Sequence, residues 1–384
     1  MGELMLQVYL KPTNFCNVGC DFCYLPEDVR ANKSRMSEAT LQDSLDLIRN
    51  LAEREGHDRV SILYHGGEPL SMSAGVLMDL SDKVRRGLSG IEIQEAIQTS
   101  LIPLRSSHIP FLQERCDGFV GSSIDFSGRT IQGSNNKYID LWLEKVHLAR
   151  SHSLHVGPIM VPTRNELGRV AEIYGWFKEH GFTHFNIERY NPYGADGDRP
   201  SNKEHSDFLS DLFDVSIEDL RRTGSCVTNN AVAAAIGGVL HNQPGERWGG
   251  TCQRDFLVIN PDGALNTCPD RMEYETDLWP KVQDGIDAFQ SSPERLGWIK
   301  VQHIDHIENH CRKCEFRSWC KSGCPITDHQ VHTGAGECAG YRSHLAKVKE
   351  FVANEEGRRF ATGYLSAAGA LPFDPYTIGL ERIA

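Results

Sequence analysis

CNVGCDFC, at residues 16–23, is the stretch from which the architecture of this chain can be worked out. It places three thiols at the spacing C-x3-C-x2-C, a few residues after the apolar run 6–10. Three thiolates on one short loop can bind three of the four irons of a [4Fe–4S] cluster, which leaves one iron open to a small molecule. The alternative is a zinc loop, but zinc requires a fourth Cys or His, and none follows before His57.

The same spacing, with aromatic Phe22 before the third cysteine, resembles the C-x3-C-x-Φ-C signature of the radical S-adenosylmethionine (SAM) enzymes. In that family the open iron binds SAM, and reductive cleavage of SAM yields a 5′-deoxyadenosyl radical that abstracts a substrate hydrogen. The resemblance implies that Cys16, Cys20 and Cys23 are metal ligands and that Phe22 belongs to the SAM site.

Composition limits the class of protein. The chain has 384 residues, 40% apolar and 24% charged, which suits one large domain and a smaller one. The net charge is −12 without a long Lys/Arg run, which disfavours nucleic acid as a partner. No signal peptide and no apolar run of about 18 residues is visible, so no membrane span is expected. Twelve cysteines in such a chain favour metal ligation over disulfides and indicate a reducing cytoplasm.

Strand and helix patterns alternate six times between residue 5 and residue 222. The predicted strands are 5–13, 60–64, 91–97, 119–124, 155–161 and 184–189, and the predicted helices are one that begins after Ser37 and 73–87, 108–115, 137–151, 166–180 and 202–222. Such alternation predicts an α/β fold whose parallel sheet curls toward a barrel, with functional groups at the C-terminal ends of the strands. Six units fit the partial (β/α)6 TIM-like barrel for which radical SAM enzymes are known.

Polar motifs follow the predicted strands. Gly66-Gly67-Glu68-Pro69 resembles the GGEP motif of the family, whose backbone and glutamate receive the SAM amino group. Gln98-Thr99-Ser100 resembles a segment beside the SAM methionyl group, the Ser122–Asp125 segment offers ribose contacts, and Arg129 corresponds to an arginine for the SAM carboxylate. An ordinary turn or polar strand end is the alternative for each. The implied cofactor-binding residues are Phe22, Gly66, Gly67, Glu68, Pro69, Gln98, Ser100, Ser122 and Arg129.

Seven further cysteines lie between residues 252 and 338. Their spacing resembles the cysteine-rich SPASM domain at all seven positions, which implies a C-terminal domain with two auxiliary [4Fe–4S] clusters and three clusters in all. A zinc ribbon is the alternative, but it uses four thiolates per metal, and seven suit two zinc ions poorly. The seven are Cys252, Cys268, Cys311, Cys314, Cys320, Cys324 and Cys338.

Resemblance to the anaerobic sulfatase maturases sorts these cysteines into two groups. Cys252, Cys268 and Cys324 would bind the first auxiliary cluster, and the other four the second. The position of an eighth cysteine in those relatives is Glu246 here. The first auxiliary cluster therefore has an open iron, uses Glu246 or recruits Cys226.

Three residues are candidates for catalysis. Asp270 lies two positions after Cys268, near the position of a candidate base in the maturases; a turn-capping Asp is the alternative. Glu188 and Arg189 end the sixth predicted strand and would face substrate or SAM, or form a structural ion pair.

Other conspicuous side chains are expected to be structural. His303, His306 and His310 have the spacing of a metal-binding helix face, but a solvated helix face is the favoured interpretation. Cys116 is expected to be a small buried hydrophobic residue.

The expected domains are a radical SAM barrel over 1–225, a bridging helix and SPASM domain over 226–345, and a C-terminal helix and tail over 346–384. No separate winged-helix domain that would bind a leader peptide is expected, because the first strand begins within the first few residues.

The favoured function is an oxidoreductase that installs a C–C or C–O crosslink, of the cyclophane type, in a ribosomally synthesised precursor peptide. Its expected partners are that peptide and a reductant such as flavodoxin or ferredoxin. The alternatives are a formylglycine-forming sulfatase maturase, a peptide epimerase that uses Cys226 or Cys116 as hydrogen donor, and a non-catalytic iron–sulfur carrier. A carrier would form no 5′-deoxyadenosine from SAM.

Overall fold

The computed structural model describes residues 5–190, 197–243, 245, 247–269, 279–327, 329–330 and 336–369. The chain divides into two compact units. The first consists mainly of the residues up to Val156 together with Thr251–Gly297, and the second mainly of Gly157–Pro192, Asp196–Gly250 and the residues from Trp298 onward.

The helices and strands have the following bounds. The strands are β1 Met5–Leu10, β2 Gly19–Cys20, β3 Arg59–Tyr64, β4 Glu92–Thr99, β5 Phe119–Ser123, β6 Arg129–Thr130, β7 His155–Met160, β8 Asn186–Ile187, β9 Phe256–Ile259 and β10 Leu265–Asn266. The helices are α1 Glu27–Ala31, α2 Glu38–Glu55, α3 Ala74–Gly87, α4 Ile109–Arg115, α5 Asn135–Ser151, α6 Val170–Glu179, α7 Asn202–Thr223, α8 Asn230–His241, α9 Cys252–Asp255, α10 Gly285–Gln290, α11 Pro293–Lys300, α12 Arg317–Cys320, α13 Arg342–Phe351 and α14 Glu355–Ala367.

A mostly parallel sheet organises the first unit, in which its strands have the order β10-β9-β1-β3-β4-β5. Every pair described is parallel except β9 and β10, which form a hairpin. Leu10 lies opposite Tyr64, and Tyr64 lies opposite Ile97, so β1, β3 and β4 end at the same edge. The loops that follow these strands therefore leave the sheet together, as expected for an α/β fold with a functional edge.

Helix α2 shows how local sequence places an element. Ser37 caps it by accepting a hydrogen bond from the Thr40 amide at 3.0 Å, and Gly56 ends it in the left-handed conformation, with φ of 74°. The predicted start and the predicted apolar stripe are both confirmed, since the stripe residues are buried: Leu41, Leu45, Ile48 and Leu51.

Helices dominate the second unit, where α7 contacts α6, α8, α13 and α14, and β7 pairs in parallel with β8. Asp219 of α7 accepts hydrogen bonds from Lys178 at 2.6 Å and from the Tyr174 hydroxyl at 2.8 Å. Gly238 allows α8 to lie against Trp319, because a Cβ atom at this position would be 2.5 Å from the indole ring.

The structure corrects three predictions about elements. The sixth strand is limited to the two residues of β8. The predicted C-terminal helix is two helices, because Asn354 caps α14 by accepting a hydrogen bond from the Gly357 amide at 2.8 Å; Gly363, assigned to an irregular tail, lies inside α14. Strands β9 and β10 form a hairpin, and β9 also pairs in parallel with β1, for which local sequence holds no signal.

Within the described ranges, every helix is too short or too polar to cross a membrane. The expected tail beyond residue 369 lies outside those ranges.

Two glycine substitutions test how tightly α8 packs. Gly238→Ala should lower the free energy of unfolding by about 1–3 kcal/mol, because the new methyl group overlaps the Trp319 ring. Gly175→Ala in α6, where nothing lies within 4 Å of the new Cβ, should raise the free energy of unfolding by about 0.5–1 kcal/mol. Urea denaturation followed by circular dichroism measures both, and equal changes in the two variants would show that α8 has room to spare.

Candidate active site

The loop that carries Cys16, Cys20 and Cys23 is held at several points. The Cys16 amide donates to the Arg30 carbonyl at 3.0 Å, and the Cys23 amide donates to the Cys20 carbonyl at 3.2 Å. Strand β2 pairs with β6, so that Cys20 lies opposite Arg129. The backbone of this loop is therefore anchored to α1 and to β6.

These three cysteines are half-buried and lie among charged groups. Burial, followed by the nearby Glu68 carboxylate, raises the pKa of Cys16 to about 11. Burial also raises the pKa of Cys20 to about 12, although the Arg129 guanidinium acts against that rise. Cys16 and Cys23 each raise the pKa of Cys20 as well, so the three thiols lie within electrostatic reach of one another. Metal binding here would release protons.

Gly66 and Gly67 fit directly against the segment before Cys16. The Gly67 amide donates to the Thr13 carbonyl at 3.0 Å, and the next amide, of Glu68, donates to the Phe15 carbonyl at 2.7 Å. Gly66 has φ of 123°, and a Cβ atom on Gly67 would lie 2.2 Å from the Asn14 carbonyl oxygen. Only glycine permits this approach of backbone to backbone.

The buried Glu68 side chain, which follows β3, is hydrogen-bonded to the end of β4. One carboxylate oxygen accepts from the Leu70 amide at 2.9 Å and the Thr99 hydroxyl at 2.5 Å, and the other accepts from the Ser100 amide at 2.7 Å and the Ser100 hydroxyl. Burial raises the pKa of Glu68, and the hydrogen bonds act against that rise. Four bonds occupy the acceptor positions of a carboxylate. The backbone of this segment thus remains as the part able to receive an amino group.

Alternation along β5 separates two neighbouring serines. Ser122 is fully buried and accepts a hydrogen bond from the Trp142 indole at 2.8 Å. Ser123 instead accepts from the Gln98 side chain at 3.0 Å. The Ser122 hydroxyl therefore belongs to the core, which argues against the predicted ligand contact. Ser123 lies on the other face of the strand, beside Gln98, as the period of two along a strand requires.

Arg129 and Phe22 lie together beside the cysteine loop. The guanidinium donates to Asp125 at 2.5 Å and lies between two aromatic rings, 5.4 Å from the centroid of Phe22 and 5.7 Å from that of Tyr138. These contacts place a fixed positive charge next to Cys20. The structure brings together two residues that the motifs had predicted separately.

Lys11 is a site residue that sequence reasoning missed. It is fully buried at the end of β1, where its ammonium donates to the Tyr24 hydroxyl at 3.1 Å and lies 3.5 Å from the Pro269 carbonyl. A buried ammonium is costly unless it is paired. A lysine that ends an apolar strand just before the cysteine loop was the available signal.

Cys252 and Cys268 both lie in the first unit. The residues next to them in the chain are hydrogen-bonded, because the Thr267 hydroxyl donates to the Gln253 side chain at 2.7 Å. Cys324 and Cys226 belong to the second unit. Asp270 and Glu246 lie outside the described residues.

Four cysteines line one cavity in the second unit, with an empty volume of about 280 Å³ including its open mouth. They are the four that the resemblance assigned to the second auxiliary cluster, Cys311, Cys314, Cys320 and Cys338, and Cys324 is not among the lining residues. A Cβ atom on Gly340 would lie 2.6 Å from the Cys320 sulfur, so a glycine keeps the space beside that thiol open. Four thiols around one open cavity suit an iron–sulfur cluster.

The two catalytic candidates that follow β8, Glu188 and Arg189, differ in solvent exposure. Glu188 is exposed and pairs at 3.9 Å with Arg247, whose side chain is 8% exposed. This ion pair of Glu188 is with Arg247, and it is not the pair between Glu188 and Arg189 that was the alternative. Arg189 is half-buried.

The histidines of residues 301–311 lie in a stretch that is mostly π-helical. His306 and His310 are half-buried and pack on His329, with ring centroids 4.3 and 4.5 Å from it. The prediction of a solvated face is confirmed for His303, which is exposed, and holds only in part for the other two. Burial, followed by His306 and His310, lowers the pKa of His329 to about 3. Cys116, as predicted, is buried.

A methyl group at position 67 tests the backbone contact. Gly67→Ala should abolish most of the iron bound by the loop, because its Cβ would displace the carbonyls of residues 14 and 15. Gly75→Ala in α3, where nothing lies within 4 Å of the new Cβ, is the matched control and should keep its iron. Iron and sulfide assays after anaerobic reconstitution, in a background with Cys314→Ala, measure the loss. Full iron in Gly67→Ala would contradict the proposed fit.

Comparisons with known proteins agree with this geometry. The sequence profile of the radical SAM superfamily matches residues 10–176. The cysteine-type anaerobic sulfatase-maturating enzyme of Clostridium perfringens is 24% identical over 340 residues, 83% of this chain and 88% of that protein. The serine-type enzyme of Klebsiella aerogenes is 22% identical over 361 residues, 89% and 84% of the two chains.

Two solved structures share the fold. Native anSMEcpe with bound AdoMet has a TM-score of 0.74 at 22% identity and covers 93% of this chain and 99% of its own. Streptococcus suis SuiB bound to the precursor peptide SuiA has a TM-score of 0.57 at 15% identity and covers 84% and 72%. This chain is therefore an enzyme with a radical SAM domain at residues 10–176, close to the anaerobic sulfatase-maturating enzymes.

Proposed function

We propose that this enzyme oxidises a side chain of a peptide and thereby installs a C–C or C–O crosslink, of the cyclophane type, in a ribosomally synthesised precursor. The observation that carries the proposal is the cysteine loop 16–23, whose three thiols lie together while its backbone is held by β6 and, just before it, by Gly66 and Gly67. A loop fixed in this way suits a reactive metal centre, because the geometry of its ligands is set before the metal binds.

Cys16, Cys20 and Cys23 would hold a [4Fe–4S] cluster with one iron free for SAM. When bound, this pair supplies the means of removing a hydrogen atom from an unactivated carbon. Around it the backbone of Gly66 and Gly67, the side chain of Gln98 and the Arg129 guanidinium would orient SAM. Ser100 and Pro69 act through Glu68, since Ser100 donates to its carboxylate and Pro69 begins the turn that Glu68 caps.

The remaining cysteines would hold two auxiliary clusters, which makes three in all. By resemblance, Cys252, Cys268 and Cys324 are assigned to the first, and the four-cysteine cavity to the second. A net oxidation requires an electron acceptor, and these groups of thiols are the candidates for holding one. The half-buried Arg189 and the charged Glu188 and Asp270 remain candidates for contacts with substrate.

A peptide substrate has support from the solved relatives. Two structures that share this fold contain a peptide: anSMEcpe with bound AdoMet and Kp18Cys peptide, and SuiB with its precursor peptide SuiA. The partial (β/α)6 barrel with a C-terminal SPASM domain, the fold expected from the motifs, would present its strand ends to such a chain. Flavodoxin or ferredoxin in the cytoplasm would be the reductant.

Formation of formylglycine in a sulfatase is the second candidate. The similarity to two anaerobic sulfatase-maturating enzymes favours it as much as the fold favours a crosslink. Glu246 in place of an eighth cysteine, and Phe126 in place of a glycine after Asp125, distinguish this chain from that pattern.

Mass spectrometry decides between the two. The reconstituted enzyme is incubated with SAM, a reductant and the peptide encoded by a short reading frame beside its gene, and with a sulfatase peptide that contains Cys or Ser. A crosslink removes two hydrogens and leaves no backbone fragments between the joined residues. Formylglycine creates an aldehyde that a hydrazide probe captures, and an unchanged mass with altered stereochemistry would indicate an epimerase.

Substitution of single cysteines separates the two kinds of centre. Cys20→Ala should abolish formation of 5′-deoxyadenosine, because a loop with only two of its three thiolates would not assemble the cluster that provides the free iron. Cys314→Ala should leave some 5′-deoxyadenosine but remove the oxidised peptide. Chromatography of the nucleoside and mass analysis of the peptide measure both.

Cys116→Ala is the matched control, because Cys116 is buried and belongs to neither cysteine group. It should keep both activities. Equal loss of nucleoside and peptide product in Cys314→Ala would mean that the C-terminal cysteines serve the fold alone.

A further inference from the structure

We propose that His329 donates a hydrogen bond to the cluster in the four-cysteine cavity and thereby sets the reduction potential of that cluster. This inference rests on the proposed function, because it requires an iron–sulfur cluster in the cavity. His329 would not be a ligand of the iron, because the four thiolates already complete the coordination of the cluster. It would only change the reduction potential.

His329 reaches this cavity from a part of the chain that no motif marked. It lines the cavity together with Cys311, Cys314, Cys320 and Cys338. Two further histidines fix the orientation of its ring: His310 stacks on it face to face, with an interplanar angle of 14°, and His306 meets it edge-on, at 73°. A ring packed from two sides has little freedom to turn away from the cavity.

The ring nitrogens of His329 need a partner. Both are shielded from solvent; the Ser322 backbone, which also lines the cavity, acts on the ring as a weak acceptor, but among the described residues no hydrogen bond of ordinary geometry is formed. A neutral imidazole carries one N–H group, and a buried N–H without an acceptor is unfavourable by about 1–3 kcal/mol. The sulfur atoms of a cluster held by the four cysteines are the acceptors that such a cavity would supply.

A hydrogen bond to a cluster sulfur has a defined effect. Each added electron makes the sulfur atoms more negative, so a donor stabilises the reduced cluster more than the oxidised one. Hydrogen bonds to sulfur are accordingly among the factors that set the potentials of iron–sulfur clusters. Removal of the donor from His329 should make the midpoint potential more negative. Arg317 and Arg342 also line the cavity, but both are exposed, where water screens their charge.

The test is a potentiometric titration of the full-length protein, reconstituted anaerobically and followed by electron paramagnetic resonance. The background carries Cys16→Ala, Cys20→Ala and Cys23→Ala, so that only C-terminal clusters contribute. The signal that disappears on adding Cys314→Ala belongs to the four-cysteine cavity. If no signal depends on Cys314, or if zinc replaces iron in the protein, the proposed function fails at this site, independently of His329.

Three variants then test His329 itself. His329→Phe keeps an aromatic ring for stacking but has no donor, and it should shift the midpoint potential of that signal to a more negative value. His329→Gln restores an N–H and should return the potential toward that of the parent. His303→Phe is the matched control, because His303 is exposed and does not line the cavity; it should leave the potential unchanged. An unchanged potential in His329→Phe, with iron fully retained, would overturn the proposal.

A second measurement requires no substitution. In protein labelled with 15N-histidine, pulsed electron paramagnetic resonance of the reduced cluster should detect a coupled histidine nitrogen and a proton that exchanges in D2O. This experiment decides the question even if His329→Phe fails to assemble the cluster. The absence of both couplings would exclude the hydrogen bond.

Discussion

The contact between two backbones is the constraint on which the candidate site depends. Gly66 and Gly67 lie against residues 13–15 so closely that neither position has room for a side chain. Two amide-to-carbonyl hydrogen bonds, at 3.0 and 2.7 Å, close this contact. Because β1 and β3 end at one edge of the sheet, the contact joins the two loops that carry the motifs. Without it, the cysteine loop would keep its spacing but would lose a fixed position relative to the sheet.

Buried charged side chains and their hydrogen-bond partners hold the loops of the site together. Glu68 joins the ends of β3 and β4 through four hydrogen bonds, and Arg129 lies between two aromatic rings with Asp125 as its partner. Lys11 is held in the same region by Tyr24. A charge in a buried environment is tolerated only when it is paired and hydrogen-bonded, so each of these side chains has little freedom. Such rigidity is what a site must have if it orients a reactive cofactor.

In the second unit, packing keeps four thiols at the wall of one cavity. Gly340 leaves space beside Cys320, and Gly238 allows Trp319, the residue before Cys320, to lie against α8. The row of His306, His329 and His310 forms another wall of rings, one of which reaches the cavity. A cluster held in this cavity would have the His329 ring as a neighbouring donor.

The sequence by itself determined what depends on short spacing: the two groups of cysteines, the strand–helix alternation and the Ser37 cap. Each follows from residues only a few positions apart, where periodicity and turn chemistry act directly. Only the tertiary structure decided that β9 pairs with β1 and that the Ser122 hydroxyl accepts a hydrogen bond from Trp142. It also decided that hydrogen bonds occupy both oxygens of the Glu68 carboxylate. The packing of His329 against His306 and His310 is likewise a tertiary contact. These outcomes depend on contacts between distant segments, and local sequence carries no record of which partner a buried polar group will find.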